Sequence, residues 1–460
     1  MKQIAYLYLT LIILSAGCSP EKKENLALVY EMDFSLKKEL LDAWYPRTVD
    51  SLHGGFLADF NYKWEPQGPQ NKMVVAQTRQ LWTASEAAAF YNNNEYRKIA
   101  GHAFRFLKDV QWDKENGGFY TTLSRDGIPG QTDFGGAKMS YGNAFGIYAL
   151  VAYYNLTGNQ EALDLAKKTF MWLEEYAHDP VHGGYFNSLQ YNGSPLSKGN
   201  IDKLKVAPEE LPGYDRISQK DQNTSIHIIE AFTELYKVWP DELVRERLEK
   251  IYRLISEKIV DEKGSLTLFL TRDWQPITFR DSSEAVIRRN IYIDHVSFGH
   301  DIETGFLLLE AAHALGMVDE KAIAFSKKMV DHTIENGWDE KNGGIYDRGY
   351  YFKGVDSCTI IHDAKVWWAE AEAMNALLLM SELFPEETKY REYFEKMWAY
   401  IKEYLIDHEH GGWYEEGLDR SPHFAKARKA SDWTVNYHNF RTLRNCIQML
   451  KGEHELLERH

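Results

Sequence analysis

Cysteine is scarce in this chain, and the three residues present, Cys18, Cys358 and Cys446, stand at spacings that suggest neither metal nor redox chemistry. No CxxC pair occurs, so Cys358 and Cys446 are expected to be buried and free. A glycine-rich phosphate loop and a GxSxG elbow are also missing, which removes nucleotide-dependent and serine-hydrolase chemistry. There is no basic cluster, and a net charge of −15 makes nucleic acid a poor partner. No linker rich in Pro, Ser or Gly interrupts the chain from residue 31 to 460, so its length resolves into one large domain.

A strongly apolar run stands at the N-terminus, Met1-Lys-Gln-Ile-Ala-Tyr-Leu-Tyr-Leu-Thr-Leu-Ile-Ile-Leu14 followed by Ser-Ala-Gly-Cys18. About a dozen apolar residues after one positive charge have the form of a secretory signal and are too few to span a bilayer. The Ser-Ala-Gly-Cys ending resembles a bacterial lipoprotein cleavage box. The expectation is a signal peptide over 1–17, a lipid on Cys18, a polar tether over 18–30 and a domain over 31–460. That domain would lie outside the cytoplasm, on the periplasmic side or cell surface, touching the membrane only through the lipid.

What is abundant is a motif, an Asp followed a turn later by a Gly pair. It stands at Asp50…Gly54-Gly55, Asp113…Gly117-Gly118, Asp179…Gly183-Gly184, Asp339…Gly343-Gly344 and Asp407…Gly411-Gly412, with a degenerate Asp261…Gly264 between the third and the fifth. The first Gly recurs after 63, 66, 81, 79 and 68 residues, a spacing that fits two helices plus a connecting hairpin. Between the pairs, one segment is apolar on all faces, as at 143–154, 300–314 and 366–380, and the next carries a single apolar stripe, as at 242–260 and 386–406. A helix apolar all round is buried, and one with a single stripe lies outside it. With a leading amphipathic helix at 36–49 and a last buried one from 438, the pattern predicts an all-α (α/α)6 barrel with short β-hairpins in its connections. Aromatic residues make up 14% of the chain, enough to fill a wide barrel and to offer rings to sugar faces.

The Gly-pair loops precede the inner helices, so the first turns of all six are expected to converge on one face. Those turns hold Arg79, Tyr141 with Asn143, His227, His300 with Glu303, Trp368 with Glu372, and Trp433 leading to His438. Histidines around a pit suit proton transfer near neutral pH. His300-x-x-Glu303 also puts two metal ligands on one helix face, but nothing in the sequence completes such a site, so no metal is expected. A glycoside hydrolase using Glu303 and Glu372 would leave three histidines without a role. A non-catalytic glycan-binding protein would not need them either.

At these residues the chain resembles the N-acylglucosamine 2-epimerase superfamily, and within it the cellobiose (mannobiose) 2-epimerases. The resemblance is carried by Thr78-Arg79-Gln-Leu-Trp82, Lys138-x-x-Tyr141-x-Asn143, Asn223-Thr-x-x-His227, Gly299-His300-Asp-Ile-Glu303, Trp367-Trp368-x-x-Ala-Glu372 and Tyr437-His438-Asn439. It implies an (α/α)6 barrel and cofactor-free inversion at C2 of a reducing-end aldose, with the β-1,4 disaccharides as first choice. N-acylglucosamine epimerisation and aldose–ketose isomerisation are the alternatives. It further implies His300 and His438 as the acid/base pair, His227 in ring opening, and Arg79 at the enediolate oxygens. Tyr141, Asn143, Glu303, Phe306, Trp368, Glu372 and Trp433 would surround the sugar. Phe306 stands where the family has Trp, Trp368-Ala-Glu-Ala-Glu372 replaces Trp-Pro-Gln-Ala-Glu, and Thr434 and Asn436 replace Lys and Pro. These departures touch the walls and leave the acid/base pair intact.

Overall fold

In the computed structural model, residues 20–130, 138–195 and 220–457 are described. Among the described residues, six outer and six inner helices alternate. The outer ones occupy residues 20–44, 94–111, 160–177, 242–259, 320–337 and 389–405. The inner ones are Val74–Phe90, Ser140–Thr157, Gln222–Val238, Phe298–Ala314, Trp367–Leu383 and Tyr437–Lys451. Thirteen or more residues of each of the first two inner helices are buried, whereas Glu242–Leu254 buries only Val244, Leu248 and Ile251 along one stripe. Four outer helices start on a side-chain cap, Asn93, Asn159, Asp241 or Asp319, each accepting from backbone N–H groups of the first turn.

The first outer helix departs from the sequence expectation. It begins at Pro20 and ends at Trp44 rather than spanning 36–49, so most of the expected 18–30 tether is helical. The cause is packing: Met32, Leu36 and Leu40 are buried in the core, with Leu28 and Val29 packed against it. Polar ties reinforce this, from Arg391 to the Asn25 side chain at 3.0 Å and from Trp398 to Glu31 at 3.1 Å. Cys18 lies outside the described residues; Cys358 and Cys446 are both free, and Cys446 is buried as expected whereas Cys358 is only half-buried.

Each Gly pair closes the loop after an outer helix with both glycines at positive φ, where a Cβ would be strained. Gly184 shows why nothing larger fits, because a Cβ there would meet the Trp274 ring at 2.3 Å. The Asp of the motif binds a buried Lys ahead of the next inner helix, Asp50–Lys72, Asp113–Lys138, Asp179–Lys220, Asp339–Lys365 and Asp407–Lys429, at 2.6–3.1 Å; the first four lysines stand two residues before the helix and Lys429 stands eight before it. In the degenerate unit the loop is one residue shorter, and Val296 stands where the others have Lys.

Short antiparallel strands stitch neighbouring units together. Lys72–Met73 pairs with Thr122–Leu123, Lys138–Met139 with Ser188–Leu189, Lys220–Asp221 with Phe269–Leu270, and Val296–Ser297 with Arg348–Tyr350. Bridges from Val366 to Glu416 and from Ala430 to Phe60 complete the circle. Every inner helix therefore starts at the same end of the barrel.

Candidate active site

The first turns of the inner helices converge on a pit of about 160 Å³ lined by Arg79, Tyr141, Asn223, His227, His300, Glu303, Trp367, Trp368, Trp433 and His438. It adjoins a groove of about 260 Å³ that shares Tyr141, Asn223 and His300 and continues along Asn187, Asp221, Phe269, Tyr292 and His295. Taken together they reach the size of small-molecule sites, about 300–1,000 Å³.

Each of the three histidines is held through Nδ1. His227 is 2.9 Å from Glu230 Oε2, His300 is 2.7 Å from Ser297 Oγ, and His438 is 2.6 Å from Glu372 Oε1. With Nδ1 engaged, the free nitrogen of each ring is Nε2, and a carboxylate on Nδ1 fixes the tautomer whose Nε2 lone pair can accept a proton. Trp368 stands between the outer two, its ring 4.6 Å from that of His300 and 5.8 Å from that of His438. Tyr141 packs edge-on against His227 at 5.0 Å and leans toward the half-exposed Trp433 at the rim.

Arg441, one turn deeper than His438, organises the floor. Its Nη2 lies 2.6 Å from Glu303 and 2.7 Å from Glu372, and its Nη1 donates to Glu230 and Tyr437. A single guanidinium thus joins three carboxylates, one of which orients His227 and another His438. Glu303, Glu372 and His438 have the donor types of a metal site, but Arg441 already fills the cation's place among them. The second cation, Arg79, donates to Tyr141 Oη at 2.8 Å and lies over the Phe145 ring at 4.5 Å, with its Nε lacking a partner among the described residues. Asn223 Oδ1 and Trp367 Nε1, also in the wall of the pit, have no partner among the described residues either. Buried polar atoms left open in a pit wall are ready for a polar ligand.

Burial sets the protonation states. It pulls His300 down to about 3, helped by His227 and His295, and it pulls His438 well below the ordinary range, helped by Arg79 and Arg441. Both imidazoles are therefore neutral at rest. For Glu230, the burial penalty is outweighed by Arg441 and His227, which bring it to about 2. Glu372 goes the other way, raised by burial and by Glu303 against the pull of Arg441. Its Oε1 accepts from Arg441 and faces His438 Nδ1, while Oε2 is buried with no partner among the described residues.

The structure brings Arg79, Tyr141, His227, His300, Glu303, Trp368, Trp433 and His438 into one pit, as the sequence analysis expects. Asn143 and Phe306 lie elsewhere. Asn143 Oδ1 accepts from Phe119 N–H at 2.8 Å, bracing a Gly-pair loop, and Phe306 is buried beneath Arg441, 5.3 Å from its guanidinium. Glu372 holds His438 and Arg441 and is not itself in the pit wall. Arg441, Glu230, Ser297 and Trp367 were not anticipated. The signal for the first two was available: each stands three residues after a pit histidine, the next turn inward on the same helix face.

The chain matches the family model described as N-acylglucosamine 2-epimerase (GlcNAc 2-epimerase) over residues 54–442. A cellobiose 2-epimerase from Bacteroides fragilis is 31% identical over 432 residues, covering 92% of this chain and 98% of that protein. The solved structure of cellobiose 2-epimerase from Spirochaeta thermophila DSM 6192 superposes with a TM-score of 0.79 at 28% identity, covering 94% of this chain and 99% of that one. A D-mannose isomerase from Marinomonas mediterranea is 24% identical, covering 89% of this chain and 93% of that protein.

Proposed function

The chain belongs to the N-acylglucosamine 2-epimerase family and is a sugar 2-epimerase, and we propose that its substrate is a β-1,4 disaccharide such as cellobiose or mannobiose, inverted at C2 of the reducing-end residue. The observation that carries this reading is the pairing of two neutral histidines, His300 and His438, in a pit that continues into a groove. The pit takes the reacting ring and the groove has room for a second.

The reaction needs no cofactor. Ring opening moves a proton from O1 to O5 and exposes an aldehyde, a transfer assigned to His227. Nε2 of one acid/base histidine then removes the C2 proton, and the bonding electrons pass to C1 and O1 as an enediolate. Arg79 supplies the cation where that charge appears, in a site largely closed to water where it acts strongly. The negative charge also raises the proton affinity of the imidazole on the opposite face. That imidazole, neutral at rest, takes a proton from solvent at Nε2 and gives it to C2 from its own side, the first histidine releases to solvent the proton it removed, and the inverted sugar closes. Because the reaction is reversible, His300 and His438 exchange the roles of base and acid with the epimer bound.

His300→Asn and His438→Asn are each expected to lower kcat by about 10²- to 10⁴-fold, the usual contribution of a general acid or base, with helical content unchanged. A variant keeping most of its activity rejects the assignment. Across a panel of reducing sugars, kcat/KM is expected to be higher for cellobiose and mannobiose than for N-acetylglucosamine or mannose. Preference for a monosaccharide, or a ketose as main product, rejects the substrate reading.

A further inference from the structure

The outermost turns of the first outer helix expose apolar side chains that the barrel does not use. Leu26 is 55% exposed, Tyr30 63% and Phe34 53%, at spacings of four residues that put all three on one face. Lys23 and Lys37, also exposed, extend the same face at either end. The opposite face is fixed to the barrel through Met32 and Leu36, by Glu31 to Trp398 and Lys402 at 3.1 and 2.6 Å, and by Asp33 to Tyr91 at 2.9 Å. The helix is thus part of the rigid body.

Its position relative to Cys18 identifies what covers this face. The helix starts at Pro20, two residues after Cys18, and two residues span at most about 7 Å. A lipid on Cys18 would therefore hold the first turn of this helix at the bilayer surface. Leu26, Tyr30 and Phe34 begin within about two turns of that point, and the flanking lysines suit a surface of phosphate headgroups, where their apolar stems can lie along the boundary.

Orientation follows from the course of the helix. Outer helices end in the Gly-pair loops, beside the first turns of the inner helices that form the pit. The start of the first outer helix is consequently at the other end of the barrel, about 37 Å away along 25 residues.

We propose that the face formed by Lys23, Leu26, Tyr30, Phe34 and Lys37 rests on the lipid bilayer, so that the barrel lies on the membrane by the flank that carries its first outer helix, with the sugar pit opening along the membrane surface and not into it. The proposal rests on Cys18 as the site of lipid attachment. It means that a soluble sugar reaches the pit without crossing the headgroup layer.

The test replaces Leu26, Tyr30, Phe34 or, as a control on another flank of the barrel, the 49% exposed Met171 of the third outer helix with photoreactive benzoylphenylalanine in the full chain. Membranes carrying each variant are irradiated, and the adducts are analysed. Lipid adducts at 26, 30 and 34, with few at 171, are expected. Adducts to protein at the three positions, no adducts there, or equal lipid labelling at 171 overturn the proposal. Fatty-acid labelling of the same chains reports on Cys18 separately. If they carry no lipid, the chain from residue 18 with Cys358→Ser is coupled through the Cys18 thiol to a maleimide phospholipid in phosphatidylethanolamine–phosphatidylglycerol vesicles, and the same labelling pattern decides.

Discussion

His300 and His438 flank Trp368 on unlike supports, a hydroxyl for one and a carboxyl for the other, yet burial leaves both neutral. For His300 the consequence for stability has a definite sign. Its pKa falls from 6.5 in the unfolded chain to about 3 in the fold, so as pH drops through this window the unfolded state takes up the proton first. The fold then loses up to about 1.4 kcal/mol per pH unit from this one group. The Tm deficit of His300→Asn relative to the parent, measured at pH 7.5, should shrink by pH 4.5; a constant deficit contradicts the buried neutral imidazole. Arg441 is the other residue on which the site turns. Arg441→Met leaves Glu230, Glu303 and Glu372 without their shared cation and should cost about 3–5 kcal/mol, the penalty for breaking a buried charge pair. Urea unfolding would read this, and a loss under 1 kcal/mol contradicts the central role. The histidines were legible in the sequence because a polar residue stands out in an apolar helix turn. Arg441 was not, since the reason for its burial is three carboxylates on three other helices, contacts that exist only once the ring closes.

The repeating element is a loop and a lysine. Asp113 illustrates it: one oxygen accepts from the N–H groups of Glu115 and Asn116, and the other binds Lys138 Nζ at 2.6 Å, so one carboxylate fixes both the turn and the start of the next inner helix. Lys138→Met should cost about 3–5 kcal/mol because Asp113 remains buried without its cation. Lys98→Met, which breaks an exposed pair with Glu95, should cost under about 1 kcal/mol. Equal effects in thermal unfolding would remove the lysine from the architecture. The Gly pairs and the alternation of all-apolar with striped helices made the twelve-helix plan readable in advance. The recurring Lys was in plain view but unread, because its partner lies some 22 to 41 residues earlier and no local pattern joins them. The early start of the first helix was hidden for another reason. Ser19 to Asn25 is polar in composition, and what makes Pro20–Phe34 helical is tertiary, the docking of Met32 and its neighbours against the barrel.

At the scale of the whole molecule, closing six hairpin units into a ring gives one end where inner helices begin, and that end carries the chemistry. The pit holds two neutral imidazoles, the cation Arg79 and open polar groups, an assembly suited to moving a proton on carbon and not to cutting a glycosidic bond, since Glu303 and Glu372 are both committed to Arg441. Turnover of cellobiose in heavy water tests this directly. An enediolate reprotonated by an imidazole that exchanges with solvent places deuterium at C2 of the epimer and leaves the glycosidic bond whole. Release of monosaccharides with the C2 hydrogen retained would contradict the account.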